Sequence, residues 1–275
     1  MSKTTFVTAW LATFAAGTAA VADVLPSFAY EGFDYTPGTA VDESNGGAGF
    51  VGPWFNAVGS EGVVVEGSLA EPTGTLLTNG NAGAEIDEGR LNRQLQFALP
   101  DLVAPEGPAP AGDLYISFLM QTTNDQAYYG FELFDGGNND SNRVLQVANE
   151  GGEFQLRLKN DPLSSVALPT SGTETHLYVL RFELINNDAV VSAYVDPDPA
   201  APENVSDAFI ASTDFLSFDR VEFAIFQGGT GDSQLLVDEI RIGSTYASVL
   251  PLIPEPGTLG LLGAAGLGLF RRRHA

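Results

Sequence analysis

HLYVLRFELINNDAVVSAYV, residues 176–195, decides the fold. It reads as two strands, 177–184 and 190–195, joined through Asn186-Asn187-Asp188. Asparagine and aspartate tolerate the left-handed dihedrals of a tight turn, so the pair is a hairpin. EFQLRLKN (153–160) repeats the theme more plainly: Phe154, Leu156 and Leu158 share one phase, while Gln155, Arg157 and Lys159 share the other. Period two marks a strand with one wet face. RVLQVANEGGEFQLRLK makes a second hairpin across Glu150-Gly151-Gly152.

Working outward, strands are expected at GVVVEGSL (62–69), RLNRQLQF (90–97), DLYISFLMQ (113–121), AYYGFELF (127–134), DRVEFAIFQ (219–227) and QLLVDEIRIG (234–243). No amphipathic helix of useful length precedes the tail. About ten to twelve short antiparallel strands imply two packed sheets, a sandwich or jelly roll. The 31 glycines and 16 prolines fall between apolar runs, as a many-turned β protein requires. PEGPAPAG (105–112) reads as a loop within one domain, because the residues before it are too turn-rich for a separate core.

Both ends are set aside as targeting segments. Residues 1–22 carry Lys3, a moderately apolar stretch, and small residues at Ala20 and Ala22, which fits a secretory signal cut before Asp23. The chain has 12 basic and 35 acidic residues. Removing the four basic residues and one acid of the two ends leaves eight basic and 34 acidic residues in 23–250, a net charge of −26. Such a surface repels phosphate backbones and excludes nucleic-acid partners. The absence of cysteine excludes thiolate metal sites and cysteine nucleophiles, and leaves the core to hold an exported protein without disulfides.

YEGFDYTPGTAVDESNGGAGFVGPW (Tyr30–Trp54) resembles the opening of concanavalin A-like, laminin-G-like modules of exported bacterial proteins. VDEIRIG (Val237–Gly243) is similar to the strand that ends many of them. The resemblance spans most of Phe28 to Tyr246. It implies a two-sheet jelly roll over residues 23–250 whose curved face or rim loops bind carbohydrate, in some members with calcium.

The chemistry of the body points away from catalysis. His176 and His274 are the two histidines, the latter in the tail, and no G-x-S-x-G elbow accompanies His176. Glycan hydrolases on this scaffold carry Glu-x-Asp-x-x-Glu on one strand. EIDEGR offers Glu85 and Asp87, but Glu88 falls on the opposite phase and no acid fills the third place. The body is therefore read as non-enzymatic and without a required cofactor, with a glycan hydrolase or lyase as the alternative. Oxygen ligands for calcium cluster at DGGNNDSN (Asp135–Asn142), at Asp232, and at Asp196 and Asp198, although hairpin turns demand the same residue types. Trp54, Tyr246 and one of Tyr128 and Tyr129, which cannot both face inward, are candidate sugar platforms.

The tail carries its own logic. Leu259–Phe270 is an uncharged run of twelve residues. As a helix it would span about 18 Å, short of the roughly 30 Å hydrocarbon core. Arg271, Arg272 and Arg273 follow and would orient it with its far end on the cytoplasmic side. Ile253-Pro254-Glu255-Pro256 precedes it as a stiff, extended stretch with two backbone donors missing. This order resembles the PEP-CTERM sorting signal of Gram-negative bacteria, with Ile253 where valine is common, over residues 251–275. The resemblance implies transient anchoring in the inner membrane by a short transmembrane helix (259–270). Processing by an exosortase, a membrane protease-transpeptidase, then delivers the body to the cell surface or an extracellular polysaccharide matrix. A plain tail-anchored envelope protein is the alternative.

Overall fold

In the computed structural model, described over residues 28–59, 62–78, 84–97, 112–125, 127–150, 152–158, 165–170, 173–185, 188–212, 216–226 and 233–253, the 176–195 hairpin sits within the larger of two antiparallel sheets. The expected signal segment (1–22), the sorting motif beyond Ile253 and the expected apolar helix with its basic end (259–273) lie outside the described residues. The first strands are β1 (Ala29–Glu31), β2 (Phe50–Gly59), β3 (Val63–Val64), β4 (Ala84–Asp87), β5 (Gly89–Leu95), β6 (Gly112–Thr122) and β7 (Tyr128–Phe134). There follow β8 (Arg143–Glu150), β9 (Glu153–Leu158), β10 (Ser165–Ala167), β11 (His176–Ile185), β12 (Asp188–Val195), β13 (Ala208–Ser212), β14 (Arg220–Phe226) and β15 (Gln234–Gly243). One short helix, α1 (Tyr246–Val249), closes the body.

The eight-stranded sheet runs β13-β12-β11-β6-β15-β4-β3, with β1 also paired to β15. The seven-stranded sheet runs β10-β9-β8-β7-β14-β5-β2. Strands on either side of residues 98–111 interleave in both: β4 pairs with β15, and β5 with β14. Between the sheets Phe118 stacks on Phe131 at 4.5 Å and on Tyr178 at 5.3 Å, and meets Phe223 edge-on at 5.6 Å. Each phenylalanine buried this completely contributes about 2–3 kcal/mol.

The hairpin pairing extends to Ile185 opposite Asp188, so Asp188 belongs to the strand and not to the turn. One expectation needs correction. Residues 62–69 form a strand only at Val63–Val64. Beyond it Gly67 has φ +92°, and the Ser68 hydroxyl and Leu69 N–H (2.9 Å) donate to Asp238 instead of to a neighbouring strand. Conversely β2 forms where no strand was expected, because Gly52 (φ +72°) and Pro53 break the alternation that marks a strand. Its register with β5 slips between Val51 and Phe55, an irregularity that an edge strand tolerates.

The end of the body is strapped down. Thr245 and Ser248 cap α1 reciprocally, each side-chain oxygen accepting from the other's backbone N–H at 3.2 Å. Val249 and Leu250 bury against Leu69, Leu76, Leu119, Leu177 and Val179 on the outer side of the eight-stranded sheet. The Leu77 N–H then donates to the Pro251 carbonyl (2.7 Å), and the Ile253 N–H to that of Thr75 (3.0 Å). Glu71 holds the receiving loop. Burial opposes its ionisation, but hydrogen bonds from Thr73, Leu76 and Thr75 outweigh that and keep its carboxyl below the usual range. Ordered pairing thus continues to Ile253, three residues beyond the boundary expected from the sequence.

Candidate functional site

The outer face of the seven-stranded sheet gathers the chemistry. Cross-strand register aligns Phe55 (β2), Asn92 (β5), Glu222 (β14), Glu132 (β7), Gln146 (β8) and Arg157 (β9) in one row. The adjacent row holds Val51, Gln94, Arg220 and Phe134. Alternation explains the placement: Val221, Phe223 and Ile225, like Phe131 and Leu133, point into the core, which leaves their neighbours on the outer side.

At the centre of the row Glu132 and Glu222 face each other directly, and both side chains are 0% exposed. Residues so opposed have Cβ atoms about 5 Å apart. Tyr128 donates its hydroxyl to Glu132, and Arg143 pairs with the same oxygen at 2.8 Å. Arg90 approaches Glu222 at 3.6 Å, beyond hydrogen-bond reach, while also pairing with Asp140 at 3.3 Å and lying 4.9 Å over the Phe226 ring. Neither Glu222 oxygen makes a hydrogen bond among the described residues. Burial, and then the charge of Glu132, push the Glu222 carboxyl up to about 8. Burial likewise raises the Tyr128 hydroxyl, with Glu132 adding to the effect. The raised carboxyl of Glu222 thus sits beside Glu132 in a centre flanked by the guanidinium groups of Arg90 and Arg143.

Toward the β2 edge the same face opens into a cleft of about 150 Å³ lined by Val51, Pro53, Phe55, Asn92, Arg93, Gln94 and Arg220, with the Arg93 side chain buried and paired to Glu31. Phe55 is 54% exposed. The Asn92 amide is fixed by donating to the Phe55 carbonyl at 3.2 Å.

The residues singled out from the sequence scatter. Trp54 is no platform: it is 1% exposed, stacked on Phe33 at 5.4 Å, with its indole N–H donating to Glu31 at 3.1 Å. Tyr129 points into the core and Tyr128 outward, as strand alternation demands. Tyr246 is half-buried beside a second cleft, of about 190 Å³, that also includes Asp196 and Asp198. Those acids serve the backbone: Asp196 accepts from Leu177 N–H (2.9 Å) and pairs with His176 (2.7 Å), and Asp198 accepts from Ala200 N–H (2.9 Å). In the 135–142 loop, Asn139 caps a 3-10 turn and Asp140 pairs with Arg90. Among the described residues no cluster of three acids or histidines is arranged to hold a metal ion; Asp232 lies outside them. Glu88, at φ +41°, turns the chain from β4 in one sheet to β5 in the other, so EIDEGR is not one strand. The side chains of Glu85 and Asp87 lie outside the description.

The Glu132–Glu222 pair escaped the sequence reading because its members stand 90 positions apart on different strands. Its signal was a lone acid inside an apolar strand, in FELF and in VEFAIF, each on the phase opposite the core.

Residues 252–273 match the PEP-CTERM protein-sorting motif. Comparison with curated protein sequences finds no match. Among solved structures, the chain is similar to lectin II from Ulex europaeus (6% identity, TM-score 0.47, covering 80% of this chain and 100% of that one). It is also similar to the botulinum neurotoxin serotype D binding domain (10% identity, TM-score 0.45, covering 79% of this chain). It spans 50% of the length of that toxin chain. Among the described residues no helix is long and apolar enough to cross a membrane.

Proposed function

We propose that the chain is an exported cell-surface or extracellular-matrix protein, sorted through its C-terminal signal, whose sandwich body binds carbohydrate and carries out no catalysis. The sorting match at 252–273 carries this reading: it takes over at Leu252 and Ile253, the last strand-paired residues described. In this reading Ile253 to Pro256 are recognised by an exosortase-type membrane protease, 259–270 anchors the precursor in the inner membrane, and Arg271 to Arg273 orient it. The binding part rests on the cleft beside Phe55, where an exposed aromatic ring and the exposed amide of Gln94 offer what a sugar's apolar face and hydroxyls require. In cells with an active exosortase, intact-mass analysis of the exported protein is expected to find a C-terminus at or after Ile253 and short of Ala275. Retention of Ala275 would favour the plain tail anchor.

A second reading is a glycan hydrolase using Glu222 as the acid and Glu132 as its partner, since two carboxylic side chains opposed on one sheet face, one of them with a raised pKa, are what acid-assisted glycoside hydrolysis uses. Against it stands the burial of both carboxylates beneath Arg90, Arg143 and Tyr128. Incubation with β-glucans and with polyuronates is expected to release no reducing ends; release abolished by Glu222→Gln would reverse the ranking.

A further inference from the structure

Arg220 is an anomaly of charge. The body holds 34 acids and eight basic residues, so nearly every cation should find an acid. Arg90, Arg93, Arg143, Arg157, Arg181 and Arg241 all do. Among the described arginines Arg220 alone is in no ion pair, and its Nε, although shielded from solvent, makes no hydrogen bond. Its sequence neighbour Asp219 is turned away, accepting from the Gly136 N–H at 3.1 Å. Arg220 instead lines the cleft with Phe55, Asn92 and Gln94.

Resting on the carbohydrate reading, we propose that this cleft binds a carboxylate-bearing sugar, a uronic acid unit of an acidic polysaccharide, with Arg220 as the carboxylate receptor. A guanidinium fork matches a carboxylate through two parallel hydrogen bonds, and such charge-assisted pairs are roughly twice as strong as neutral ones. The exposed Phe55 ring takes the apolar face of the pyranose. The exposed amide of Gln94 lines the cleft beside Arg220 and supplies a donor and an acceptor for ring hydroxyls, while the buried Asn92 holds the Phe55 backbone in place. The chain's overall negative charge works against a polyanion at long range. At physiological salt that repulsion is screened beyond about 8 Å, while the local pair inside the cleft is screened less. An uncommitted arginine gives this acidic surface selectivity for a ligand it would otherwise repel.

Calorimetry at 0.15 M salt, with the purified protein and tri- or tetragalacturonate, tests the assignment. Methyl esterification of the same oligosaccharide removes its charge and keeps its shape, and is expected to weaken binding at least tenfold. Arg220→Ala should do the same with an unchanged melting curve, Arg220→Lys should keep part of the affinity, and Phe55→Ala should weaken acid and ester alike. Equal binding of acid and ester, or unaltered binding by Arg220→Ala, overturns the proposal. Tighter binding of a sulfated galactan of equal charge overturns the carboxylate assignment. A neutral glycan bound at another face sinks this inference and leaves the carbohydrate reading standing; failure of every glycan, charged or neutral, sinks the reading itself.

Discussion

Replacing Arg93 by alanine is expected to cost the body about 3–5 kcal/mol, because it strands a buried carboxylate. Arg93 and Glu31 are each 1% exposed at the side chain and pair directly. Around them Glu31 accepts from the Phe33 N–H (2.9 Å), the Tyr35 hydroxyl (2.9 Å) and the Trp54 indole (3.1 Å). Arg93 donates to Asn45 Oδ1 (2.9 Å) and to the carbonyls of Gly46 (2.8 Å) and Gly52 (3.1 Å), and lies 4.6 Å over the Phe50 ring. The pair pins the irregular 31–54 segment to β5. For a body of this size the loss corresponds to roughly 10 °C in Tm. Urea unfolding would measure it, with Arg93→Lys, which keeps the charge but not the fork, falling between. A loss below about 1 kcal/mol would show that the pair contributes little. Replacing both partners by apolar residues should recover much of the cost, since the penalty lies in the orphaned charge.

This cluster shows what the sequence could and could not tell. The strands with clean alternation were legible, and so was the two-sheet architecture, because period two is a local property. Tyr30–Trp54 carried a resemblance, but nothing local said that Glu31 would meet Arg93 across 62 positions, or that Trp54 would be consumed by that network. The Glu132–Glu222 pair is hidden in the same way: strand order sets it, and strand order is not written in any single strand. The spare charge of Arg220 is further removed still, visible only once every other arginine has been matched to its acid.

Raising the pH from 4.5 to 9 is expected to destabilise the wild type strongly, and Glu222→Gln to remove about 4 kcal/mol of that loss. Glu222 holds its proton in the fold up to about pH 8 and releases it near its ordinary value when unfolded. Its contribution is therefore complete below about pH 4.5, falls as pH rises, and is gone above about 8. Asp238 is also pushed up to about 8, by burial first, with the Glu239 charge adding and the Ser68 and Leu69 hydrogen bonds opposing. It acts in the same window, so Glu222→Gln leaves a residual slope that Asp238→Asn should remove. Glu71, with a lowered carboxyl, works in the opposite sense and loses its contribution only on acidification. Chemical denaturation of wild type and Glu222→Gln at pH 5 and 9 decides the matter. Parallel pH profiles would mean that the two carboxylates do not share their burial as the sheet register implies.

The strap at the end of the body sets a geometry for the anchored precursor. The last backbone pairing among the described residues is that of Ile253 and the apolar run starts at Leu259, so that five residues, 254–258, join the two along the chain. Fully extended, so short a leash reaches no more than about 20 Å. In the anchored state proposed for it, the protein cannot tumble freely: the loop around Thr75 must face the lipid, and the sheets must stand off from there. A processing enzyme working in that thin layer meets its substrate already aligned, without having to search a flexible linker for the bond to cut.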